Sequence, residues 1–127
     1  MQPKASIFLD CAKDDLDTLL LPGIPERSFG QHAQASIEKY LKALIFEHGI
    51  EPPYTHDLDT LVDILSKFGE KIPVTTINVD TLTDYALGIR YEDISLFSVL
   101  DRPACTEAVQ TIRDYVELRI KQLNQAT

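Results

Sequence analysis

Between residues 37 and 65, apolar side chains return every third or fourth position, interrupted once by a glycine and a pair of prolines. Only an α-helical backbone gathers such a pattern onto one side. Ile37, Leu41, Leu44, Ile45 and His48 form one stripe, with Glu38, Lys42 and Glu47 placed off it. Glu38 precedes Lys42 by four residues, the favourable order for an exposed ion pair worth about 0.2–0.5 kcal/mol. Gly49 stands where a helix C-terminus is capped, and Pro52 and Pro53 stiffen the connection that follows. Thr55 or Asp57 can then accept the orphan N–H groups of a next helix, which buries Leu58, Leu61, Val62 and Leu65 and reaches Phe68.

The flanking segments carry the same period. Phe8, Ala12, Leu16, Leu19 and Leu20 make a first helical stripe, broken by Pro22, Gly23 and Pro25, with a loop to about Phe29. Residues 74–79, VTTINV, have the β-branched content of a strand. A lone strand has nothing to pair with, so a helix from about Val74 to Leu87 is the better reading, followed by a loop through GIRYEDIS. A last helix opens near Asp101, with Pro103 in its first turn, and repeats Cys105, Val109, Ile112, Val116, Ile120 and Leu123. Four to five helices joined by short loops can bury their stripes only against one another. The expected fold is an all-α up-and-down bundle, a single domain over residues 1–127.

Composition narrows the function. With 25% charged and 44% apolar residues, the 127-residue chain has the make-up of a soluble globular domain. No apolar run approaches membrane-spanning length and no secretory pattern opens the chain, so a cytoplasmic protein is expected. The net charge of −8 argues against a grip on an extended nucleic-acid backbone and suits docking onto a basic partner. Cys11 and Cys105 lack metal or redox spacing and read as buried free thiols. Asp10, Asp14, Asp15 and Asp17 lack the spacing of a calcium loop and read as a solvated helix face, so no metal or cofactor is expected.

One segment also resembles a known family. His32, Ala33, Glu38, Lys39, Lys42, Ala43 and Leu44, then Gly49, Pro53, Thr55, His56, Asp57 and Leu58, are similar to the pattern of the HEPN domain, a small helical nucleotide-binding family. The resemblance is strongest from Phe29 to Leu65 and includes Ile89 to Asp93, with Arg90-Tyr91 as a family-like feature. It implies a helical bundle of the kind found as the substrate-binding domain of nucleotidyltransferases. It further implies a homodimer that binds a nucleotide or nucleotide-like ligand and acts beside a small nucleotidyltransferase in a prokaryotic toxin–antitoxin-like pair.

Two functions follow from different chemistry. In the first, the protein is no enzyme, and Lys39, Lys42, His56, Arg90 and Tyr91 hold phosphate and base. Each has a plainer role available: the lysines as a solvated face, His56 as part of a helix start, Arg90 and Tyr91 as loop packing. In the second, the protein is a metal-independent RNase toxin, since some HEPN proteins carry an arginine, four to six residues, then a histidine. Arg27 and His32 fit that spacing. A histidine near its ordinary pKa can take a proton from a ribose hydroxyl while an arginine offsets charge on the phosphate. This match lies at the entrance to the second helix, whereas the nuclease motif belongs to a later one, and the acidic balance also favours the binding module.

Overall fold

Proline and glycine set the helix boundaries in this computed structural model, which describes residues 1–73 and 101–125. Helix α1 (Pro3–Leu19) opens on Pro3, where a missing N–H costs nothing, and stops before Pro22 and Gly23. Helix α2 (Glu26–Glu47) starts directly after Pro25 and ends at His48, with Gly49 at φ +86°, a conformation suited to glycine. Helix α3 (Leu58–Lys67) is capped by Asp57, whose carboxylate accepts from Asp59 N and from Thr60 Oγ1. Helix α4 (Arg102–Gln125) begins where the Asp101 side chain accepts from Ala104 N. The described residues contain these four helices and no strand. The helix expected over Val74 to Leu87, and the loop holding Arg90 and Tyr91, lie outside the described residues.

Three cross-links make α1 and α2 antiparallel. Gln2 N donates to Glu47 at 3.1 Å, Ser36 Oγ donates to the Ala12 carbonyl at 2.8 Å, and Lys39 Nζ reaches Asp15 at 2.6 Å. Helix α4 runs in the same sense as α2. Its first turn lies at the start of α2, where Arg102 donates to the Ile24 carbonyl at 2.6 Å and its guanidinium sits over the Phe29 ring. Its far end meets the segment that also holds His48. Helix α2 therefore packs against α1, α3 and α4 at once. From Ser36 to Ile45 every residue except Lys39 is buried. The core is built from Ile37, Tyr40, Leu41, Leu44 and Ile45 of α2 against Leu16 and Leu19, Leu58, Leu61 and Leu65, and Val109, Ile112, Val116 and Ile120. Each fully buried aliphatic side chain contributes about 1.5–3 kcal/mol. The Tyr40 hydroxyl has no partner among the described residues, and burial, then the charge of Glu117, pushes its pKa up to about 12.

Several expectations are corrected. The loop expected to reach Phe29 ends at Pro25, because α2 needs its first turn to bury Phe29, 2% exposed, beneath Arg102. Leu20 caps α1 and is exposed instead of joining the stripe, and Phe68 is 42% exposed, stacked on the His48 ring. Of the two thiols only Cys105 is buried, which pushes its pKa up to about 11; Cys11 is exposed.

The segment after α3 is held by a buried carboxylate. Gly69 at φ +84° lets Gly69 N reach the Ser66 carbonyl and Glu70 N reach the Leu65 carbonyl, closing the helix end in a Schellman turn. That turn points Glu70, 3% exposed, inward. Its oxygens accept from Arg119 Nε and Nη2 (2.8 and 3.1 Å) and Tyr115 OH (2.6 Å), and His48 Nε2 lies at 2.8 Å. One side chain thus ties α3 to α4 and to the end of α2. Burial alone drives this carboxyl's pKa up; the bonds from Arg119, Tyr115 and His48 overcome that and hold it at about 2.

The folded Glu70 carboxyl titrates far below its ordinary value of 4.5. Its stabilisation is therefore complete above that value and lost as pH falls toward 2. Glu70→Gln is expected to lower unfolding stability at neutral pH by about 2 kcal/mol. Urea melts of wild type and variant should converge as the buffer is taken from pH 6 down to about 2.5; a constant gap refutes the clamp.

Candidate functional site

The burial of α2 forces its polar residues into bonded groups, and the largest lies along Gln34, Glu38 and Lys42, one helical turn apart on a single strip. Glu38 is the hub. Its Oε1 accepts from Gln34 Nε2 at 2.9 Å and faces His56 Nδ1 at 2.8 Å, while its Oε2 accepts from Lys42 Nζ at 3.0 Å. Gln34 Nε2 also donates to the His56 carbonyl at 3.0 Å, so ring and backbone of His56 are both fixed against α2. Burial pushes the Glu38 pKa up, but the bonds from Gln34, His56 and Lys42, together with the lysine's charge, leave it lowered. Facing an ionised carboxylate, His56 carries its proton on Nδ1.

Lys42 also borders a groove of about 360 Å³ between the start of α1 and the proline segment. Phe8 and Phe46, with ring centroids 5.2 Å apart, form its apolar wall. Pro52, Pro53 and a fully exposed Tyr54 form the other side. Lys4 stands at the rim, its Nζ 5.6 Å from the Phe46 ring centroid and 3.5 Å from Glu51.

The residues singled out from the sequence divide accordingly. Lys42 and His56 come together through Glu38. Lys39 does not join them: its Nζ pairs with Asp15 of α1, and the other oxygen of Asp15 lies 2.8 Å from His32 Nδ1. Arg27 is exposed in the first turn of α2. Five positions along a helix place Arg27 and His32 about 140° apart around its axis. They do not share a face. Arg90 and Tyr91 lie outside the described residues. The expected exposed pair Glu38–Lys42 is instead buried, each residue 7% exposed, because the segment from residue 50 to 57 covers it. Asp15, expected on a solvated face, is likewise drawn in by its two α2 partners.

Sequence reasoning missed Gln34, the hub role of Glu38, and the groove residues Lys4, Phe8, Phe46 and Tyr54. A signal existed for Asp15, which falls between Ala12 and Leu19 in the register of the apolar stripe. Among the described residues no set of His, Cys, Asp or Glu converges as a metal site, and no helix is long and apolar enough to cross a membrane.

Removing one member of the Glu38–Lys42 pair separates its two costs. Glu38→Ala leaves a buried ammonium unopposed and is expected to lower stability by about 3 kcal/mol. Lys42→Met should cost less, since Gln34 and His56 still serve the carboxylate. In urea melts the double variant should be more stable than Glu38→Ala alone; an additive loss contradicts the pairing.

Comparison with known proteins agrees with the helical frame. No curated protein and no solved structure matches the chain. The family model of the HEPN domain matches residues 4–123, nearly its whole length, and the chain therefore belongs to the HEPN domain family.

Proposed function

We propose that this HEPN domain is a non-catalytic binding module for a nucleotide or nucleotide-like ligand, a homodimer acting beside a small nucleotidyltransferase in a toxin–antitoxin-like pair of the prokaryotic cytoplasm. The observation that carries this reading is the state of Lys42. Its side chain is 9% exposed, Glu38 is its carboxylate partner, and it borders the aromatic groove. An ammonium has three donors, so the bond to Glu38 leaves two for an incoming phosphate. Because the charge is already removed from water, a new bond to it forms at little further desolvation cost.

The other candidates contribute unequally. His56 stands at the edge of the same polar strip, and Arg90 and Tyr91 are proposed as further contacts to phosphate and base. Lys39, bound to Asp15 on the α1 side, has the weakest claim. The excess of acid, −8 per chain, supports a basic protein partner over an extended nucleic acid. Exposed Phe68 and Leu118 supply apolar surface for a symmetric pairing.

One observation favours the RNase alternative. Asp15 holds Nδ1 of His32, the arrangement that leaves Nε2 of a partly exposed imidazole to act as a base. Arg27, on another face of α2, weakens it.

Calorimetric titration of the purified chain with ATP, ADP and AMP should give saturable binding by at least one of them, weakened about tenfold by Lys42→Ala. Absence of binding by all three removes the ligand reading and leaves a purely partner-binding module. Mixed RNA incubated with the protein in chelator should remain intact. Cleavage that disappears in His32→Ala reverses the preference in favour of the nuclease.

A further inference from the structure

We infer that a second groove, at the end of the bundle opposite Lys42, docks a basic amphipathic helix of a protein partner, with its apolar side against Leu20 and Leu21 and its cations over Glu107, Asp17 and Glu26. The inference rests on the basic-partner reading above and gives that partner a place and a form.

A turn and a helix face build the groove. Pro22 and Gly23 stop α1 at Leu19, so the two leucines that follow it are left side by side in the turn, 51% and 58% exposed. With Ile24 they form one wall. Pro103, Thr106 and Gln110 form the other, and their spacing places them on one face of α4. The trough between the walls has a volume of about 620 Å³ and is open to solvent. Small molecules bind where most of their surface is enclosed, which this trough does not offer; the rounded side of a helix, with apolar anchors at i, i+3, i+4 and i+7, fits it.

The charge around the trough sets the character of that helix. Glu107 of α4 and Asp17, one turn before Leu21, are exposed and make no ion pair among the described residues. Glu26 adds a third carboxylate, one oxygen of which has no hydrogen-bond partner, because Arg102 Nε stops 3.8 Å short of it. Arg102 is the one cation among the described lining residues, and it is held elsewhere, by its 2.6 Å bond to the Ile24 carbonyl and its seat over the Phe29 ring. Arg27, two positions before Phe29, is turned about 160° away from it around α2. Apolar walls under an acidic rim favour a helix that carries lysine or arginine beside its leucines. A second copy of this chain, itself at −8, would bring acid against acid.

The test is an NMR titration of the labelled full chain with three synthetic peptides of equal length. One has leucines at i, i+3, i+4 and i+7 with lysines elsewhere, one has glutamates in place of the lysines, and one scrambles the first so that its apolar side is broken. The lysine peptide should saturate and shift Leu20, Leu21, Thr106 and Gln110, with the other two about tenfold weaker. Leu21→Ser, at a side chain outside the core, should weaken it about tenfold, and Glu107→Lys should weaken it likewise while strengthening the glutamate peptide. Shifts that map away from the groove, or equal binding by the scramble, overturn this inference and leave the basic-partner reading standing. Equal binding of the lysine and glutamate peptides, or binding of neither, overturns both. A dimer that dissociates in Leu21→Ser gives the groove to a second copy, and nuclear Overhauser contacts from residues 74–100 to Leu20 and Leu21 give it to the chain itself; either result overturns the inference.

Discussion

Where a helix is enclosed by its neighbours it cannot send its ionisable side chains into water, and from Ser36 to Ile45 α2 is enclosed in this way everywhere but at Lys39. Whatever charge its sequence carries must meet an opposite charge within bonding distance, since an unopposed buried ion costs several kcal/mol. The structure meets this condition along the packed part of α2, while Arg27 in its first turn stays exposed. Glu38 faces Lys42 along the helix, Asp15 of α1 serves Lys39 and His32, and His48 at the end of α2 reaches Glu70. Because the partners come from different elements, these pairs also fix register. Asp15 can sit only opposite the stretch from His32 to Lys39, and Glu70 only where Arg119 and His48 converge.

The same condition shapes the chemistry open to the chain. Its three histidines each end on a carboxylate from another segment, His32 on Asp15, His48 on Glu70 and His56 on Glu38. Two of these serve mainly to join elements: His48 is 12% exposed in its side chain, and His56 is fixed through its backbone as well. Most cationic groups near the bundle seams are likewise engaged within the chain. A ligand must therefore use donors that remain after the internal bonds are made, which directs attention to Lys42 and its groove.

How far the sequence discloses this follows from periodicity. Stripes such as Cys105, Val109, Ile112, Val116 and Ile120 lie on helices with one buried face, and there the spacing alone locates the core. Gly49 and Asp57 were equally legible, because a cap depends on local backbone geometry. The reading failed where burial was decided by elements distant in the chain. Glu38 and Lys42 look like a solvent-facing pair on an isolated helix, and nothing local announces that residues 50–57 fold over them. Glu70 is an unremarkable acid until Tyr115 and Arg119, 45 and 49 positions away, close on it. The groove was illegible for the same reason, since Phe8 and Phe46 meet only once α1 and α2 are antiparallel.

The two consecutive prolines after α2 have a thermodynamic consequence for whatever occupies that end of the bundle. Their rings restrict the backbone in every state of the chain, unfolded or free. The hinge between α2 and α3 thus arrives with little conformational entropy left to surrender, and Tyr54 is presented from a rigid strut instead of a wandering loop. Any association there would carry a smaller ordering penalty than a flexible recognition segment incurs.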